Sequence, residues 1–191
     1  LIIDIVQHEH SALPPSNCAD HWVDLGTGSG IIALGLAATF PQALVHAVDC
    51  SGSALAIARE NAQSNQFGDR IQFHQGHWWE PLGCLQSQVQ GMVSNPPYIP
   101  QRELAQLQPE VIKHEPLLAL DGGPDGLQAV EHLIRRSPTY LKPGVVWGVV
   151  NRAGQAPRGG ELLRARVTSQ DNSIHRDLAG IERFVSARTL G

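Results

Sequence analysis

The chain has 191 residues, 42% of them hydrophobic and 17% charged, with a formal net charge of −4. That suffices for one domain with a sizeable core, is too short for two ordinary ones, and excludes a disordered or collagen-like chain. No apolar run is long enough for a membrane helix and no signal-peptide pattern is present. Cys18, Cys50 and Cys84, widely spaced and without a Cys-x-x-Cys, point to buried thiols in a reducing compartment rather than to a disulfide framework or a zinc site. Opening at Leu1 rather than Met, the chain reads as a fragment whose missing part could carry a targeting segment or another domain. A cytoplasmic location is expected, or an organelle if such a segment precedes Leu1.

In chain order, residues 1–9 read as the end of a helix. Residues 21–25 form a short buried strand running into glycines, and the apolar stretch 31–40 is helical. Residues 43–48 give a second strand ending at Asp49, and Ser51 is a suitable N-cap for a helix over 54–63. A third strand covers 70–74 and a fourth 91–94. Residues 124–136 open with Pro124 at a helix start and carry Leu127, Val130, Leu133 and Ile134 at helical spacing. A fifth strand spans 145–150, a helix is expected over 160–167, and 173–175 with 183–187 make a closing antiparallel pair. Strand, glycine turn and helix in alternation predict a mostly parallel seven-stranded α/β sheet, covered on both faces.

Charge is unevenly spread. Residues 1–134 hold 4 Lys/Arg and 14 Asp/Glu, whereas 135–191 hold 10 and 4. The basic part could face nucleic acid or a ribonucleoprotein. It is neither dense nor interleaved with aromatics, however, and solvated helix and strand faces account for it better.

Between the first strand and the first helix lies Asp24-Leu25-Gly26-Thr27-Gly28-Ser29-Gly30. Alternate glycines permit a tight turn and close approach of a ligand, and the free N–H groups of the following helix favour an anion. A dinucleotide fingerprint would place its third glycine one position later. Asp24 could meet an ammonium group while the helix end meets a carboxylate, and Asp49 is placed to accept ribose hydroxyls. An amino-acid end and a ribose together suggest S-adenosyl-L-methionine. Gly76-His77-Trp78-Trp79-Glu80-Pro81 then supplies a wall for adenine. His74 and His77 as metal ligands lack a third partner at useful spacing, so no metal is expected.

Asn95-Pro96-Pro97-Tyr98 follows the fourth strand. Two prolines cannot continue a central strand, so the chain leaves the sheet as a stiff loop carrying an amide and a phenol at the strand's carboxyl end, where open α/β sheets bind ligands. Such a loop can hold a planar amine. The Asn95 side-chain oxygen and the Pro96 carbonyl accept its two N–H groups, and Tyr98 walls it off from water. Positioning and preorganised polarity carry such a reaction without a strong base. The segment from Asn95 to about 120 is long and polar, as functional loops are.

These motifs together resemble the protein-(glutamine-N5) methyltransferases, which modify the glutamine of the Gly-Gly-Gln motif in peptide chain release factors. Glu115-Pro116 with Asp121-Gly122-Gly123-Pro124-Asp125-Gly126-Leu127 carries the resemblance further than the cofactor motifs do, and Asp177-Leu178-Ala179-Gly180 with Arg183 is similar to the family's closing hairpin. The resemblance implies a Rossmann-like class I S-adenosylmethionine-dependent methyltransferase domain over 1–191, without the family's amino-terminal helical docking domain. It implies Asp24, Gly26, Thr27, Gly28 and Gly30 around the methionine part, Asp49 at the ribose, and His77, Trp78 and Asn95 around the rest of the cofactor, with S-adenosyl-L-homocysteine as product. Asn95, Pro96 and Tyr98 would be catalytic, and Pro97 and Glu115 would join them in holding a release factor, the enzyme acting as a monomer. Two positions depart from the family pattern: His77 stands where an acid is common, and Asn151 where a glutamate often ends the fifth strand. The same tetrapeptide serves adenine-N6 and guanine-N2 methyltransferases, but the basic cleft these need for a flipped base is not evident in the acidic part holding the motifs. An inactive cofactor-binding module is the non-enzymatic alternative.

Overall fold

A computed structural model describes residues 2–11, 20–107, 116–155, 157–159, 161–162 and 169–189. Cys18, Glu115 and most of the helix expected over 160–167 lie outside the described residues. Helix α1 (Ile2–His10) precedes β1 (His21–Leu25), α2 (Ile31–Thr39), β2 (Leu44–Asp49), α3 (Gly52–Ser64), β3 (Ile71–Gln75) and β4 (Val89–Ser94). Two single-turn helices, α4 (Gln101–Leu104) and α5 (Leu117–Leu120), lead to α6 (Gln128–Tyr140), β5 (Leu141–Val150), β6 (Ser169–Arg176) and β7 (Glu182–Thr189). No helix among the described residues is long and apolar enough to cross a membrane.

The sheet has the order β3-β2-β1-β4-β5-β7-β6. β1 to β5 are parallel, and β7 inserts antiparallel between β5 and β6. The order reverses between β1 and β4, so a crevice opens at their carboxyl ends. One face packs Trp22, Val45, Ala47, Val93 and Val146 against α1 and α2; the other packs Val23, Leu25, Met92, Trp147 and Val149 against Val130, Leu133 and Ile134 of α6. Gly91 pairs with Trp22 across β1 and β4, and a Cβ there would stand 2.4 Å from the buried indole. The missing side chain is what lets Trp22 lie flat and stack on Phe40 at 4.2 Å.

Ser51 caps α3 as expected, accepting from Ala54 N at 3.2 Å. Helix α6 starts four residues later than the sequence suggests. Pro124 belongs to a loop held by Asp125, whose Oδ1 accepts from Leu127 N at 3.1 Å, and the helix begins only after that turn. It then runs past Pro138. Proline offers no N–H to the Ile134 carbonyl, and the Ser137 hydroxyl donates to that oxygen at 3.1 Å instead. The thiols differ from expectation too: Cys84 is exposed and Cys50 half-buried. Cys84 sits on a short 3₁₀ stretch (Glu80–Leu85) that buries Leu82 and Leu85 instead.

Five of the ten cations in 135–191 are paired with acids, three of them with acids from earlier in the chain. Arg158 pairs with Asp125 (3.5 Å), Arg176 with Glu182 (3.5 Å), Arg183 with Asp177 (3.0 Å) and Arg188 with Glu9 (3.4 Å), while Arg152 pairs with Glu103.

Candidate active site

The glycine turn after β1 is held from three sides. Asp24 is wholly buried beneath it, and its Oδ2 accepts from Thr27 Oγ1 at 2.6 Å and from Ala33 N, in the first turn of α2, at 3.0 Å. From the side, Asp49 Oδ2 accepts from Gly28 N at 2.9 Å, and its Oδ1 from Ser51 N at 2.8 Å. From α3, Asn61 donates to Ser29 O at 2.9 Å. Gly26, Gly28 and Gly30 all have positive φ, and a Cβ on Gly30 would press on Ala58 at 3.0 Å. Only glycine follows this path without strain.

Burial pushes the Asp24 carboxyl up to about 7, against the Thr27 and Ala33 hydrogen bonds that favour its charge, and nearby Asp49 adds to the rise. Its second oxygen, Oδ1, is buried without a hydrogen-bond partner. The carboxylate therefore sits under the turn and shapes it, while Asp49, half-buried at the end of β2, is the acid at the crevice edge.

After β3, Gly76 N donates to Asp49 O at 3.1 Å. His77 is exposed, and Trp78 adopts φ of +52°, an uncommon state for a bulky residue. That backbone lays the Trp78 ring over the turn: a Cβ added to Gly26 would lie 3.4 Å from Cζ3 and 4.0 Å from the Asn95 carbonyl oxygen. The next residue goes the other way, Trp79 being buried and stacked on Tyr140 at 4.5 Å. His74 faces the neighbouring strand. Its Nε2 shares a hydrogen bond with His46 Nδ1 (3.1 Å), and His46 Nε2 shares another with His21 Nδ1 (2.9 Å), a row running across three strands. Among the described residues no group of three His, Cys, Asp or Glu is arranged for a metal.

The other lip is the loop after β4. Ser94 Oγ donates to Leu25 O at 2.6 Å, fixing the end of β4 to the end of β1 where the loop departs. Asn95 is exposed, Pro96 buried, and Pro97 and Tyr98 half-buried. The Gly-Gly-x-Asp-Gly run grips this loop backbone to backbone. Ile99 N donates to Leu120 O (3.0 Å), Gly122 N to Ile99 O (2.9 Å) and Gln101 N to Gly123 O (3.0 Å). Asp121 accepts from Gly123 N (2.8 Å) and Gln101 Nε2 (3.1 Å), which makes it a clamp on the loop. A Cβ on Gly122 would meet Tyr98 Cα at 2.8 Å, and one on Gly126 would meet Tyr98 O at 2.4 Å, so the approach requires glycine at both. Sequence reading did not single out Ser94 or Asn61 for the site, because their partners lie 69 and 32 residues away.

Beyond Tyr98 opens a cleft of about 390 Å³, lined by Tyr98, Ile99, Glu103, Leu107, Arg152 and Arg183 among others. Asn151 turns away from it: it is fully buried, with Nδ2 donating to Val149 O at 3.2 Å and its backbone N to Arg183 O at 2.6 Å.

A glycine turn after β1, an acid after β2 and a proline loop after β4, set on a 3-2-1-4-5-7-6 sheet, define a class I methyltransferase fold. The family model described as "Methyltransferase small domain" matches residues 10–123, and the chain belongs to that family. It is 86% identical over 190 residues to a release factor glutamine methyltransferase of Synechocystis sp., covering 100% of this chain and 64% of that protein. A release factor glutamine methyltransferase of Thermosynechococcus vestitus is 50% identical over 179 residues, covering 94% and 62% respectively. The chain thus spans somewhat less than two thirds of these relatives. An O-methyltransferase from Bacillus cereus, solved in complex with SAH, superposes with a TM-score of 0.67 at 15% identity, over 98% of this chain and 78% of that one, a likeness of fold.

Proposed function

We propose that this domain transfers a methyl group from S-adenosyl-L-methionine to the side-chain amide nitrogen (N5) of the glutamine in the Gly-Gly-Gln motif of a peptide chain release factor. One observation carries the reading: the Gly26 turn, the Trp78 ring and the Asn95 backbone converge within about 4 Å of one point at the switch between β1 and β4. Methyl donor and acceptor loop would share that crevice. The names of the two relatives support the choice of substrate.

The residues present fit the cofactor. The Gly26, Gly28 and Gly30 backbone, which a Cβ would strain or obstruct, can cradle the methionine part; Asp49 can take the ribose hydroxyls, and Trp78 with exposed His77 can flank the adenine. Asp24 and Thr27 would act from below, by holding the turn. When bound, the cofactor supplies an electrophilic methyl on a cationic sulfur, leaving as S-adenosyl-L-homocysteine. What this chain adds is aim. A glutamine nitrogen is a poor nucleophile because its lone pair is delocalised into the carbonyl. Asn95 Oδ1 and the Pro96 carbonyl accept its two N–H groups and turn the lone pair towards the donor. Pro97 stiffens the loop and Tyr98 excludes water. As the N–C bond forms and the S–C bond breaks, Asn95 Oδ1 and the Pro96 carbonyl act only as hydrogen-bond acceptors that hold the amide in place, and the proton that the methylated nitrogen must lose would go to solvent. Glu115 would contribute from the substrate side. The acidic balance of residues 1–134, which carry the motifs, favours a protein substrate over a nucleic acid, and the reading places a monomer in the cytoplasm.

The test is transfer of radiolabelled methyl to release factor, to release factor with that glutamine replaced, to DNA and to structured RNA. Label is expected on the first alone, and label on nucleic acid or on the glutamine-less factor would overturn the reading. Asn95→Ala should abolish transfer while cofactor affinity stays within about threefold, the pattern of a group acting on the acceptor.

A further inference from the structure

Gln155, in the loop after β5, has no part in the motifs above, yet its side chain ends inside the clamp on the acceptor loop. Nε2 donates to the Tyr98 carbonyl at 3.0 Å, across 57 residues of sequence, and to the Asp125 carbonyl at 3.2 Å. Oε1 accepts from Arg152 N at 3.2 Å. Both amide hydrogens and the amide oxygen are thereby engaged, each with backbone. One side chain joins the loop after β4, the glycine loop before α6 and the loop after β5. Space for it is made by Gly126, where a Cβ would stand 2.4 Å from Nε2.

The target of this contact is specific. Prolines at 96 and 97 offer no N–H, so the acceptor loop cannot be pinned through donors there. The peptide plane between Tyr98 and Ile99, one residue beyond them, is held from both sides. Its N–H donates to Leu120 O at 3.0 Å, and its carbonyl is the one that Gln155 takes. With both ends of that plane fixed, rotation about ψ of Tyr98 is arrested, and with it the direction in which Asn95 to Tyr98 leave the sheet.

We infer that Gln155 is a positioning residue for methyl transfer, setting through the Tyr98 carbonyl the orientation of the loop that receives the substrate amide. This rests on the methyl transfer proposed above. Misplacing a reacting group by about 1 Å costs on the order of 100-fold in rate, so a loop freed at this hinge should turn over slowly while binding cofactor normally.

The experiment compares Gln155→Glu and Gln155→Ala with the wild type in the full chain, measuring kcat and KM for release factor, cofactor Kd, melting temperature and the pH profile of kcat. Glutamate keeps the size of the side chain and the acceptor for Arg152 N but loses both donors. At pH 8 both variants should lose about 10- to 100-fold in kcat, with cofactor Kd within about threefold of wild type. Their melting temperatures should lie within about 4 °C of wild type. The carboxylate introduced by Gln155→Glu would face two carbonyl dipoles, which raise its pKa. As pH falls from 8 to 6 its protonated form regains one donor, so the Glu variant should recover relative to wild type while the Ala variant does not. Wild-type kcat in the Glu variant at pH 8, a loss that does not ease at lower pH, or a cofactor Kd weakened in step with kcat would overturn the inference. A wild-type protein that leaves the release factor glutamine unmethylated would overturn the functional reading and this one with it.

Discussion

Replacing Asp24 with asparagine should make the ligand-free protein more stable at alkaline pH, although it removes a charge from the central turn. Asp24 is fully buried, and burial raises its pKa from 3.8 to about 7. The native state therefore holds a proton through that interval which the unfolded chain has already released. The Asp24 contribution to stability must fall as pH rises from about 4 to about 7, and its whole deficit stands above 7. At about 1.4 kcal/mol per pH unit the deficit is about 4 kcal/mol, of which roughly 2.5 kcal/mol develops between pH 5 and pH 8. Asparagine has the same shape and does not ionise. Its oxygen can accept from Thr27 Oγ1 and Ala33 N, and its NH₂ takes the place of the unpartnered Oδ1, much as the O–H of a protonated aspartate would. The assay is urea unfolding followed by the fluorescence of the buried tryptophans at pH 5, 6, 7 and 8. The variant should gain on the wild type by about 2.5 kcal/mol across that range, or roughly 5–10 °C in melting temperature for a chain of this size. Buried histidines titrate in both proteins and cancel. A difference that does not change with pH would show that Asp24 carries no such penalty.

His46 should govern the acid side with the opposite sign. Burial first, and then His74 and His21, lower its pKa from 6.5 to about 4, so the stability of the neutral row is complete above pH 6.5 and is lost as pH falls towards 4. His46→Gln should flatten the decline in unfolding free energy between pH 6.5 and 4.5, and an unchanged slope would count against the assignment. Gly91→Ala drives a methyl into the Trp22 indole, which is buried and cannot retreat; a loss of about 1–3 kcal/mol is expected in denaturant unfolding. Gly126→Ala meets the Tyr98 carbonyl at 2.4 Å with φ of +81°, and should cost at least about 2 kcal/mol, or roughly 4–8 °C of melting temperature, together with methyl transfer.

The sheet was legible best where strands are apolar runs that meet glycine or proline, as β1 does at Gly26 and β4 at Pro96, and less so at polar β6, of which sequence reading covers only 173–175. β1 falls at residues 21–25 in sequence reading and structure alike, and the closing pair at 173–175 and 183–187 lies within β6 and β7. Where local signals competed, sequence reading drifted. Pro124 resembles a helix start, but the loop needs residues 121–126 to enclose Tyr98, and that demand moves α6 to 128. Pro138 resembles a helix stop until Ser137 supplies the missing donor. The candidate site was legible at its glycines, acids and proline loop, which carry their own geometry. Its fastenings were not, since Asn61, Ser94 and Gln155 are ordinary residues whose meaning comes from partners 32, 69 and 57 positions away.

Strand β7 is the last described stretch to be synthesised, yet it lies inside the sheet, between β5 and β6. Among the described residues β6 pairs with β7 alone. A chain growing from the ribosome can assemble β1 to β5 in order, but β6 must wait without a neighbour, and β5 with a bare flank, until 182–189 have emerged. Arg188 then reaches Glu9, so that same arrival also secures the first helix against the sheet. Losing the final strand would therefore strand β6, lay open β5 and loosen the beginning of the chain. The carboxyl-terminal arm of the domain thus depends for its closure on the last strand described.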